Sequence, residues 1–270
     1  MITGCSSGIG LCVADGLKAR GYTVIATARK TTDVAQLEAQ GHTALQLDLD
    51  DSDSIQRAVA QTLEHTGGAL YGLFNNGAYG QPGAVEDLRR DTLRQQFETN
   101  VFGWLELTNA VLPVMRKHGA GRIIQNSSVL GFAALRYRGA YNASKFALEG
   151  LTDTLRLELR DTSIHVSLIQ PGPIESQFRA NALTAFLAHI DHQSGPHQAH
   201  YRAVLARLET KGHATRWTLG PEHVLKRVIH ALESDRPKAR YPVTVPTHLF
   251  AGLRRVLPTA WLDAILARAD

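Results

Sequence analysis

Short apolar segments alternate with longer amphipathic segments through the first 170 residues, and this alternation constrains the fold more than any other feature. The segments with the length and composition of buried strands are Thr23–Ala28, Thr43–Leu47, Leu70–Asn75, Arg122–Ser127 and His165–Gln170. The segments with helical periodicity are Ile9–Arg20, Thr32–Gln40, Ser52–Thr66, Thr92–Lys117 and Tyr141–Arg160. Such alternation is typical of a parallel sheet with helices on both faces and right-handed crossovers. The sequence therefore predicts a three-layer α/β fold with a doubly wound, Rossmann-type sheet.

The pattern changes after Pro171. Residues 174–215 have mixed polarity and weak periodicity, which favours a lid of short helices and loops. A helix from Pro221 to Glu233 and a short strand at Arg240–Val243 follow. One or two amphipathic helices, split at Pro258, then form a C-terminal tail. No repeat or low-complexity linker interrupts the 270 residues, so we expect a single domain, 1–270.

Composition narrows the possible functions. The two cysteines, Cys5 and Cys12, do not make a disulfide framework, so a reducing, cytoplasmic location is expected. The chain opens without a basic and apolar leader, and it lacks an apolar run long enough for a membrane helix. The excess of basic residues lies in residues 211–270, without interleaved aromatic residues, so nucleic-acid binding is not expected.

A glycine-rich segment, Thr3-Gly4-Cys5-Ser6-Ser7-Gly8-Ile9-Gly10, directly precedes the first predicted helix. Glycines allow a tight turn whose backbone approaches a pyrophosphate, which the helix N-terminus then binds. The predicted cofactor contacts in this turn are Gly4, Ser6, Ser7, Gly8, Ile9 and Gly10. A purely structural turn is the alternative.

The end of the strand Thr23–Ala28 bears on the choice of cofactor. An acidic residue there would bind the ribose hydroxyls of NAD, but Arg29 and Lys30 follow instead and are available to pair with the 2′-phosphate of NADP. We therefore favour NADP over NAD, with two solvated charges as the alternative. Asp48, beside Leu49, would either accept a hydrogen bond from the adenine amino group or cap the helix that begins near Ser52.

Tyr141 and Lys145 are four residues apart, which places them on one face of a helix. A tyrosine with a free pKa near ~10 needs help to transfer protons at neutral pH, and a nearby ammonium supplies it. Ser128 precedes the tyrosine and is expected to bind a substrate oxygen. The pair alone is equally compatible with a surface tyrosine beside a solvated lysine.

Five ordered motifs together resemble the short-chain dehydrogenase/reductase family. They are the segment 3–10, Asn75-Asn76-Gly77-Ala78 (the family's Asn-Asn-Ala-Gly with the last two residues exchanged), Asn100, the set Ser128, Tyr141 and Lys145, and Pro171-Gly172-Pro173-Ile174. The resemblance is greatest to the hydroxysteroid and retinol dehydrogenase-like branch, including bacterial NADP-dependent aldehyde reductases.

The resemblance implies a role for each matched residue. Tyr141 would exchange a proton with the substrate oxygen, and Ser128 would hold that oxygen. Lys145 would lower the pKa of Tyr141 and bind the nicotinamide ribose, while Asn100 would position a water molecule for proton relay. Ser127 would point away from the site, because neighbouring strand residues face opposite sides.

The remaining implied contacts belong to the cofactor. Asn76 and Gly77 would contact its adenosine side, and Pro171, Gly172 and Ile174 would contact its nicotinamide end.

The expected reaction is NADPH-dependent reduction of an apolar aldehyde or ketone, retinoid- or steroid-like. The expected substrate contacts are Ser128, Tyr141, Tyr79, Leu130 and Phe178, with Phe132, Leu135, Phe186 and Leu187 as further candidates that would otherwise pack the lid. No basic residue is clearly placed to bind a substrate carboxylate, and Arg136, Arg138 and Arg179 are the only candidates. The alternatives are an NAD-dependent alcohol dehydrogenase and a nucleotide-binding regulator without turnover.

Two further features have competing interpretations. His189, His192, His197 and His200 are interpreted as exposed lid residues rather than a metal site. The apolar, basic tail at 249–262 is expected to dock on the body or on a partner subunit rather than on an anionic membrane surface. By resemblance, helices 92–117 and 141–160 would form the interfaces of a homo-oligomer.

The start of the chain departs from the family pattern. Only Met1 and Ile2 precede Thr3, where the family has a full apolar strand at the centre of the sheet. We expect a truncated first strand, so that either the true start lies upstream or the sheet has a gap with unpaired backbone groups, and we expect poor stability and weak cofactor binding for this sequence.

Overall fold

Six parallel strands form the central sheet of the computed structural model, which describes residues 1–210, 212–213 and 215–268. Lys211 and Ala214 of the expected lid lie outside the described residues. The strands are β1 (Ile25–Ala28), β2 (Thr43–Gln46), β3 (Gly72–Asn75), β4 (Gly121–Asn126), β5 (Ile164–Gln170) and β6 (Arg240–Pro242). β1 pairs with β2, and β3, β4, β5 and β6 pair in that order. Every strand predicted from the sequence is confirmed.

Residues 1–3 join the two parts of the sheet. Ile2 forms parallel bridges to Ala26 and Phe74, and it exchanges hydrogen bonds with the backbone of Ile25 and Thr27 on β1, both 2.9 Å long. On the other side the Thr3 N–H donates to the Phe74 carbonyl at 3.0 Å. The expected gap is therefore closed at the carboxyl end of the sheet, and the expectation of a broken sheet is wrong there. The expected loss of stability remains a prediction.

Helices cover both faces of the sheet. They are α1 (Gly8–Ala19), α2 (Thr31–Ala39), α3 (Ser52–His65), α4 (Arg90–Phe97), α5 (Gly103–His118), α6 (Gly139–Glu158), α7 (Phe178–His189), α8 (Gln198–Glu209), α9 (Glu222–Glu233), α10 (Val245–Val256) and α11 (Thr259–Leu266). Phe74 and Ile124 pack toward α1 and α9, whereas their neighbours Leu73 and Ile123 pack toward α3 and α5. This alternation fills one core on each face, as expected for strands buried on both sides.

The predicted helix Thr92–Lys117 is interrupted. A π turn at Glu98–Phe102 separates α4 from α5, and Asn100 lies within it. Single π turns inside helices often occur at functional sites, because they re-aim one residue of the helix. Periodicity alone did not reveal the interruption.

The lid consists of α7 and α8, which are longer than the short helices expected. They enclose a small apolar core of their own with Phe186, Tyr201 and Val204, and this core packs against Ala84 in the loop after β3. The lid is therefore a pair of helices with an apolar core that is separate from the two cores of the sheet.

The tail forms α10 and α11, which are split at Pro258 as predicted. Among the described residues of α10 and α11, only Thr247 and Leu266 are buried. Val256 and Trp261 are 75% and 66% exposed. Docking on the body therefore explains only part of this tail. No helix in the described ranges is both long enough and apolar enough to span a bilayer.

Candidate active site

The glycine turn lies at the carboxyl edge of the sheet. Gly4 and Gly8 have φ values of 68° and 56°, which favour glycine. A Cβ atom on Gly10 would lie 2.1 Å from the Gly4 carbonyl oxygen, so the backbone is too close there for any side chain. Ser7 precedes α1 without a side-chain cap, so the first N–H groups of that helix are directed to a ligand or solvent. This donor set fits the pyrophosphate of a dinucleotide.

The loop after β3 is fastened to the glycine turn. The Thr3 hydroxyl accepts hydrogen bonds from the backbone N–H groups of Asn76 and Gly77, both at 2.8 Å. The Asn76 amide donates to the carbonyls of Thr3 and Gly4 at 3.0 and 3.2 Å. A Cβ on Gly4 would lie 2.6 Å from Gly77 Cα. These contacts bring together Gly4, Asn76 and Gly77, three of the predicted cofactor residues.

Arg29 and Lys30 directly follow β1, and both are exposed. Their charged groups are therefore accessible to a phosphate group in solution. Asp51, not Asp48, caps α3 by accepting a hydrogen bond from the Asp53 N–H, so the capping alternative for Asp48 is wrong. The Asp48 carboxylate instead accepts from the Asp50 N–H at 3.1 Å. Leu49 is buried beneath α5. A Cβ atom on Gly103, the first residue of that helix, would lie 2.1 Å from the Leu49 carbonyl oxygen.

Lys145 is buried within α6, and its ammonium donates to the Asn126 carbonyl at 2.8 Å. Burial lowers the pKa of Lys145 to about 7. The negative charge of Glu149, one turn further along the helix, acts in the opposite direction and raises this pKa. A lysine that titrates near neutral pH is unusual, and such shifts concentrate at functional sites.

Tyr141 lies one turn before Lys145. Burial raises the pKa of Tyr141 to about 12, while a hydrogen bond with Ser128 and the charge of Arg138 oppose this shift. The expected lowering of the Tyr141 pKa by Lys145 is therefore wrong for this geometry. The reason is that the ammonium bonds the Asn126 carbonyl and lies 5.7 Å from the centre of the Tyr141 ring.

Ser128 follows β4 and begins a short 3₁₀ turn, Val129–Gly131. Its hydroxyl oxygen accepts from the Leu130 N–H at 3.1 Å, which fixes the hydroxyl on the side of Tyr141. Ser127 faces the other side, because a Cβ on Gly131 would lie 2.6 Å from its hydroxyl and 2.9 Å from Glu149 Cγ. The choice of Ser128 over Ser127 agrees with this geometry.

Asn100 is fully buried and holds the backbone of Tyr79 in both directions. Its side-chain oxygen accepts from the Tyr79 N–H at 3.2 Å, and its amide donates to the Tyr79 carbonyl at 2.9 Å. The same amide contacts the Ser144 hydroxyl at 3.2 Å. The side chain is thus occupied in positioning a loop, and its role in ordering a water molecule remains a prediction.

The segment from Pro171 to Ile174, which is expected to contact the nicotinamide, lies against the turn that begins at Ser128. The Pro171 carbonyl accepts from the Val129 N–H at 2.8 Å, which ties this segment to the serine turn. A Cβ on Gly172 would lie 2.2 Å from the Thr244 hydroxyl, so glycine is required there. Ile174 pairs with Leu219 in an isolated bridge.

The predicted substrate residues separate into two groups. Phe178 meets the Tyr141 ring edge-on, with centroids 5.2 Å apart, and Leu130 is buried beside Ser128. Phe186 instead fills the lid core and Leu187 is 52% exposed, so the structure does not bring them to the site.

Tyr79 has a buried hydroxyl without a hydrogen-bond partner among the described residues. Burial raises its pKa to about 12, and the charges of Asp50 and Arg29 act on it as well. The Tyr79 phenol thus lies toward the expected adenosine end, and its contact with substrate stays a prediction.

The other expected pocket and lid residues are held by the protein. Arg136 donates to the Ala267 carbonyl and Arg179 to the Thr210 carbonyl, whereas Phe132 and Leu135 offer their carbonyls to Arg254 and Asn142. Three of the four lid histidines are half-buried rather than exposed as expected. Each of the three has a partner: His189 bonds Gln81, His192 contacts the Ile190 carbonyl, and His197 pairs with Glu86. The ring of His200 lies 5.6 Å from that of Tyr137.

Asn126 and Trp104 both contact Lys145, a predicted catalytic residue, and the sequence did not single them out. Asn126 receives the Lys145 hydrogen bond and donates through its amide to Asn76 at 2.8 Å. Trp104 lies with its ring centroid 4.2 Å from the Lys145 ammonium. Asn126 precedes Ser127 at the carboxyl end of β4, a position that would have identified it, whereas no sequence signal places Trp104.

Comparison with known proteins agrees with this arrangement. A family model described as short chain dehydrogenase matches residues 1–185. Among curated proteins, uncharacterized oxidoreductase YbbO of Escherichia coli K12 is 43% identical over 98% of this chain and 93% of its own length. Human retinol dehydrogenase 8 is 34% identical over 89% of this chain and 79% of its own length.

Solved structures give the same result. A short-chain dehydrogenase from Streptomyces avermitilis has a TM-score of 0.79 and 29% identity, covering 98% of this chain and 91% of its own. The actinorhodin polyketide ketoreductase with NADPH has a TM-score of 0.72 and 26% identity, covering 90% and 94%.

Proposed function

This chain belongs to the short-chain dehydrogenase family, and we propose that it reduces an apolar aldehyde or ketone to the alcohol with NADPH. The coarser activity follows from the family: the protein is an oxidoreductase that uses a nicotinamide cofactor on carbonyl or alcohol groups. The proposal adds the direction, the preferred cofactor and the class of substrate.

The protonated phenol of Tyr141 carries the proposal. The phenol lies beside the Ser128 hydroxyl and keeps its proton at neutral pH, so it holds the proton that a carbonyl oxygen must gain on reduction, although burial raises its pKa to about 12 and so makes it a weaker acid. The Ser128 hydroxyl, held by the Leu130 N–H, would hold the same oxygen. The nicotinamide supplies the hydride to the carbonyl carbon when it is bound. Lys145 would bind the ribose and return a proton to the tyrosine.

Two observations support NADPH and an apolar substrate. Arg29 and Lys30 are exposed where an acidic residue would favour NAD, and charge-assisted bonds to a 2′-phosphate fit them. Phe178 and Leu130 present apolar surface next to Tyr141. The names of the relatives include a retinol dehydrogenase, which agrees with an apolar substrate.

Association into a homo-oligomer is part of the proposal. Phe102 and Leu105 lie at the junction of the π turn and α5 and are 48% and 40% exposed, and Phe146 on α6 is 38% exposed. Apolar surface of this kind on the expected interface helices favours association.

The Tyr141→Phe variant tests the reaction. We expect kcat for NADPH oxidation with apolar aldehydes and ketones to fall by roughly 10²–10⁴-fold, because general acid catalysis is removed. NADPH affinity, measured by calorimetry, should stay within about threefold. Tyr22→Phe, in the loop after α1 where its hydroxyl bonds Glu233, is the matched control and should keep full activity. Full turnover by Tyr141→Phe would overturn the mechanism, and tight NADPH binding without turnover on a broad panel would favour a nucleotide-binding regulator.

Arg29→Ala tests the cofactor preference. Loss of a charge-assisted bond should weaken NADPH binding by roughly 10–100-fold and leave NADH binding unchanged. Arg57→Ala on α3 removes an equally exposed guanidinium away from the site and serves as the control. Equal affinities for NADH and NADPH in the parent protein would instead favour the NAD-dependent alcohol dehydrogenase.

A further inference from the structure

Trp104 is a fully buried aromatic residue that contacts two parts of the site at once. It lies on α5, in the first turn after the π turn that contains Asn100. Its indole N–H donates to the Gly77 carbonyl at 2.7 Å, and its ring centroid lies 4.2 Å from the Lys145 ammonium. A residue used only to fill space would need neither contact.

The ammonium of Lys145 needs such a partner. Lys145 is only 1% exposed, and in the part of the chain that the structure describes its ammonium donates one hydrogen bond, to the Asn126 carbonyl at 2.8 Å, although an ammonium has three donors. A buried cation without water loses its hydration energy, and the face of an indole ring is the best aromatic substitute. The Trp104 ring therefore stabilises the charged form of Lys145.

The loop at Gly77 is held from two sides. Thr3 accepts the Gly77 N–H at 2.8 Å, and Trp104 donates to the Gly77 carbonyl. Lys145 reaches the same loop along a second path, because Asn126 receives its hydrogen bond and donates to Asn76 at 2.8 Å. The catalytic lysine and the adenosine-side loop are thus connected through Trp104 and through Asn126.

We propose that Trp104 is a positioning residue that holds the Lys145 ammonium with its ring face and the Asn76–Gly77 loop with its N–H. The proposal deepens the proposed function, since both groups are expected to bind the cofactor. The two contacts make separate predictions, because a phenylalanine keeps a ring face but has no N–H, and a leucine has neither.

The charged groups around Lys145 fix the sign of the effect on pH dependence. Glu149, on the same helix, favours the ammonium and is itself bound by Arg240 on β6. From α5 the ring of Trp104 also favours the ammonium, and from β4 the Asn126 carbonyl does so. Removing the ring should therefore make Lys145 lose its proton at lower pH.

Kinetics of Trp104→Leu and Trp104→Phe test both contacts. In Trp104→Leu the loss of kcat at high pH should begin roughly one pH unit lower, and in Trp104→Phe the shift should be smaller. Both variants should raise the KM for NADPH several-fold, because both lack the bond to Gly77. Unchanged pH profiles in both folded variants would reduce Trp104 to a packing residue and overturn the proposal.

Fluorescence gives a test that does not depend on turnover or on the stability of a Trp104 variant. The chain has three tryptophans, so Trp217→Phe with Trp261→Phe leaves Trp104 as the only tryptophan, which is excited at wavelengths that the seven tyrosines do not absorb. Its emission should titrate near pH 7 with the neighbouring ammonium, and Lys145→Met should abolish the titration.

Trp217 supplies the matched control. It lies 4.6 Å from the guanidinium of Arg216 at the surface, and an arginine keeps its charge at these pH values. A chain that retains only Trp217 should show no such titration. If Trp104 emission is also independent of Lys145, the proposal fails. If it titrates while the carbonyl panel gives no turnover, the proposed reaction fails and the role of Trp104 stands.

Discussion

The floor of the site and the lid above it are held in different ways. We call the floor the residues Trp104, Asn126, Ser128, Tyr141 and Lys145, and the lid the helices α7 and α8. In the floor, Lys145 and Trp104 each donate to a backbone carbonyl at a strand end or in the loop after one. The lid is attached through side chains, with His189 bonded to Gln81 and Tyr201 to Asp87. The floor is therefore fixed by hydrogen bonds to the sheet and its loops, and the lid by side-chain hydrogen bonds and by its small apolar core against Ala84.

This difference separates the chemistry from the choice of substrate. Changes in the floor disturb backbone positions that the sheet and the cofactor share, so they affect binding, stability and turnover together. Changes in the lid act on Phe178 and on the opening above Tyr141, so they affect substrate binding first. Two substitutions test this division, one in the floor and one in the lid, and a third in the glycine turn gives the largest effect for comparison.

Gly10→Ala should have the largest effect. Its Cβ would lie 2.1 Å from the Gly4 carbonyl oxygen and 2.8 Å from the Asn76 amide nitrogen, and backbone must move to admit it. We expect NADPH binding to weaken by more than about 100-fold and the Tm to fall, measured by calorimetry and thermal melting.

Gly150→Ala is the matched control for that substitution. Gly150 lies within α6 with open space around its Cβ position, so alanine should stabilise the helix by about 0.5–1 kcal/mol. Equal effects of the two substitutions would show that the turn does not depend on close backbone contact.

Lys145→Met should remove activity and raise stability. Below pH 7 the folded and unfolded states both carry the ammonium, so the full cost of burying the charge destabilises the wild type. Between pH 7 and the unfolded value of 10.5 the folded lysine is neutral while the unfolded one is charged, so wild-type stability rises with pH. The gain from methionine should thus be a few kcal/mol at pH 6 and vanish near pH 10.5.

Urea unfolding of both proteins across this pH range measures that difference. A gain that is independent of pH would mean that Lys145 is not buried as a charge. A loss of stability at every pH would mean that its bond to Asn126 outweighs the cost of burial.

Three residues of the floor, Ser128, Tyr141 and Lys145, were predictable because they stand in short, local patterns. The spacing of Tyr141 and Lys145 needs only one helix, and the facing of Ser128 needs only strand alternation. Trp104 was not predictable, because its contact with Lys145 depends on how α5 packs against α6 and against the loop after β3. The expected lowering of the Tyr141 pKa was wrong for a related reason. The burial of Tyr141 and the direction of the Lys145 side chain depend on the folded structure and not on the local sequence.

The lid was predictable only as a region. Its helices have weak amphipathic patterns, and their core residue Phe186 was assigned to the pocket because apolar residues in a lid have either role. The partners of its histidines lie far away in sequence, as with His189 and Gln81, which are 108 residues apart. Motifs carry no information about contacts of that kind.

Tyr201→Phe should have the smallest effect and the most selective one. The Tyr201 hydroxyl donates to the Asp87 carboxylate and accepts from the Ala84 N–H at 3.0 Å, so phenylalanine leaves both groups without this partner. We expect about 1–3 kcal/mol of lost stability and a several-fold higher KM for the carbonyl substrate, because the lid is loosened. The Kd for NADPH should stay within about twofold in binding titrations, since the floor is intact. A loss of NADPH affinity as large as the loss of substrate affinity would show that lid and floor act as one unit, and the division drawn between them would fail.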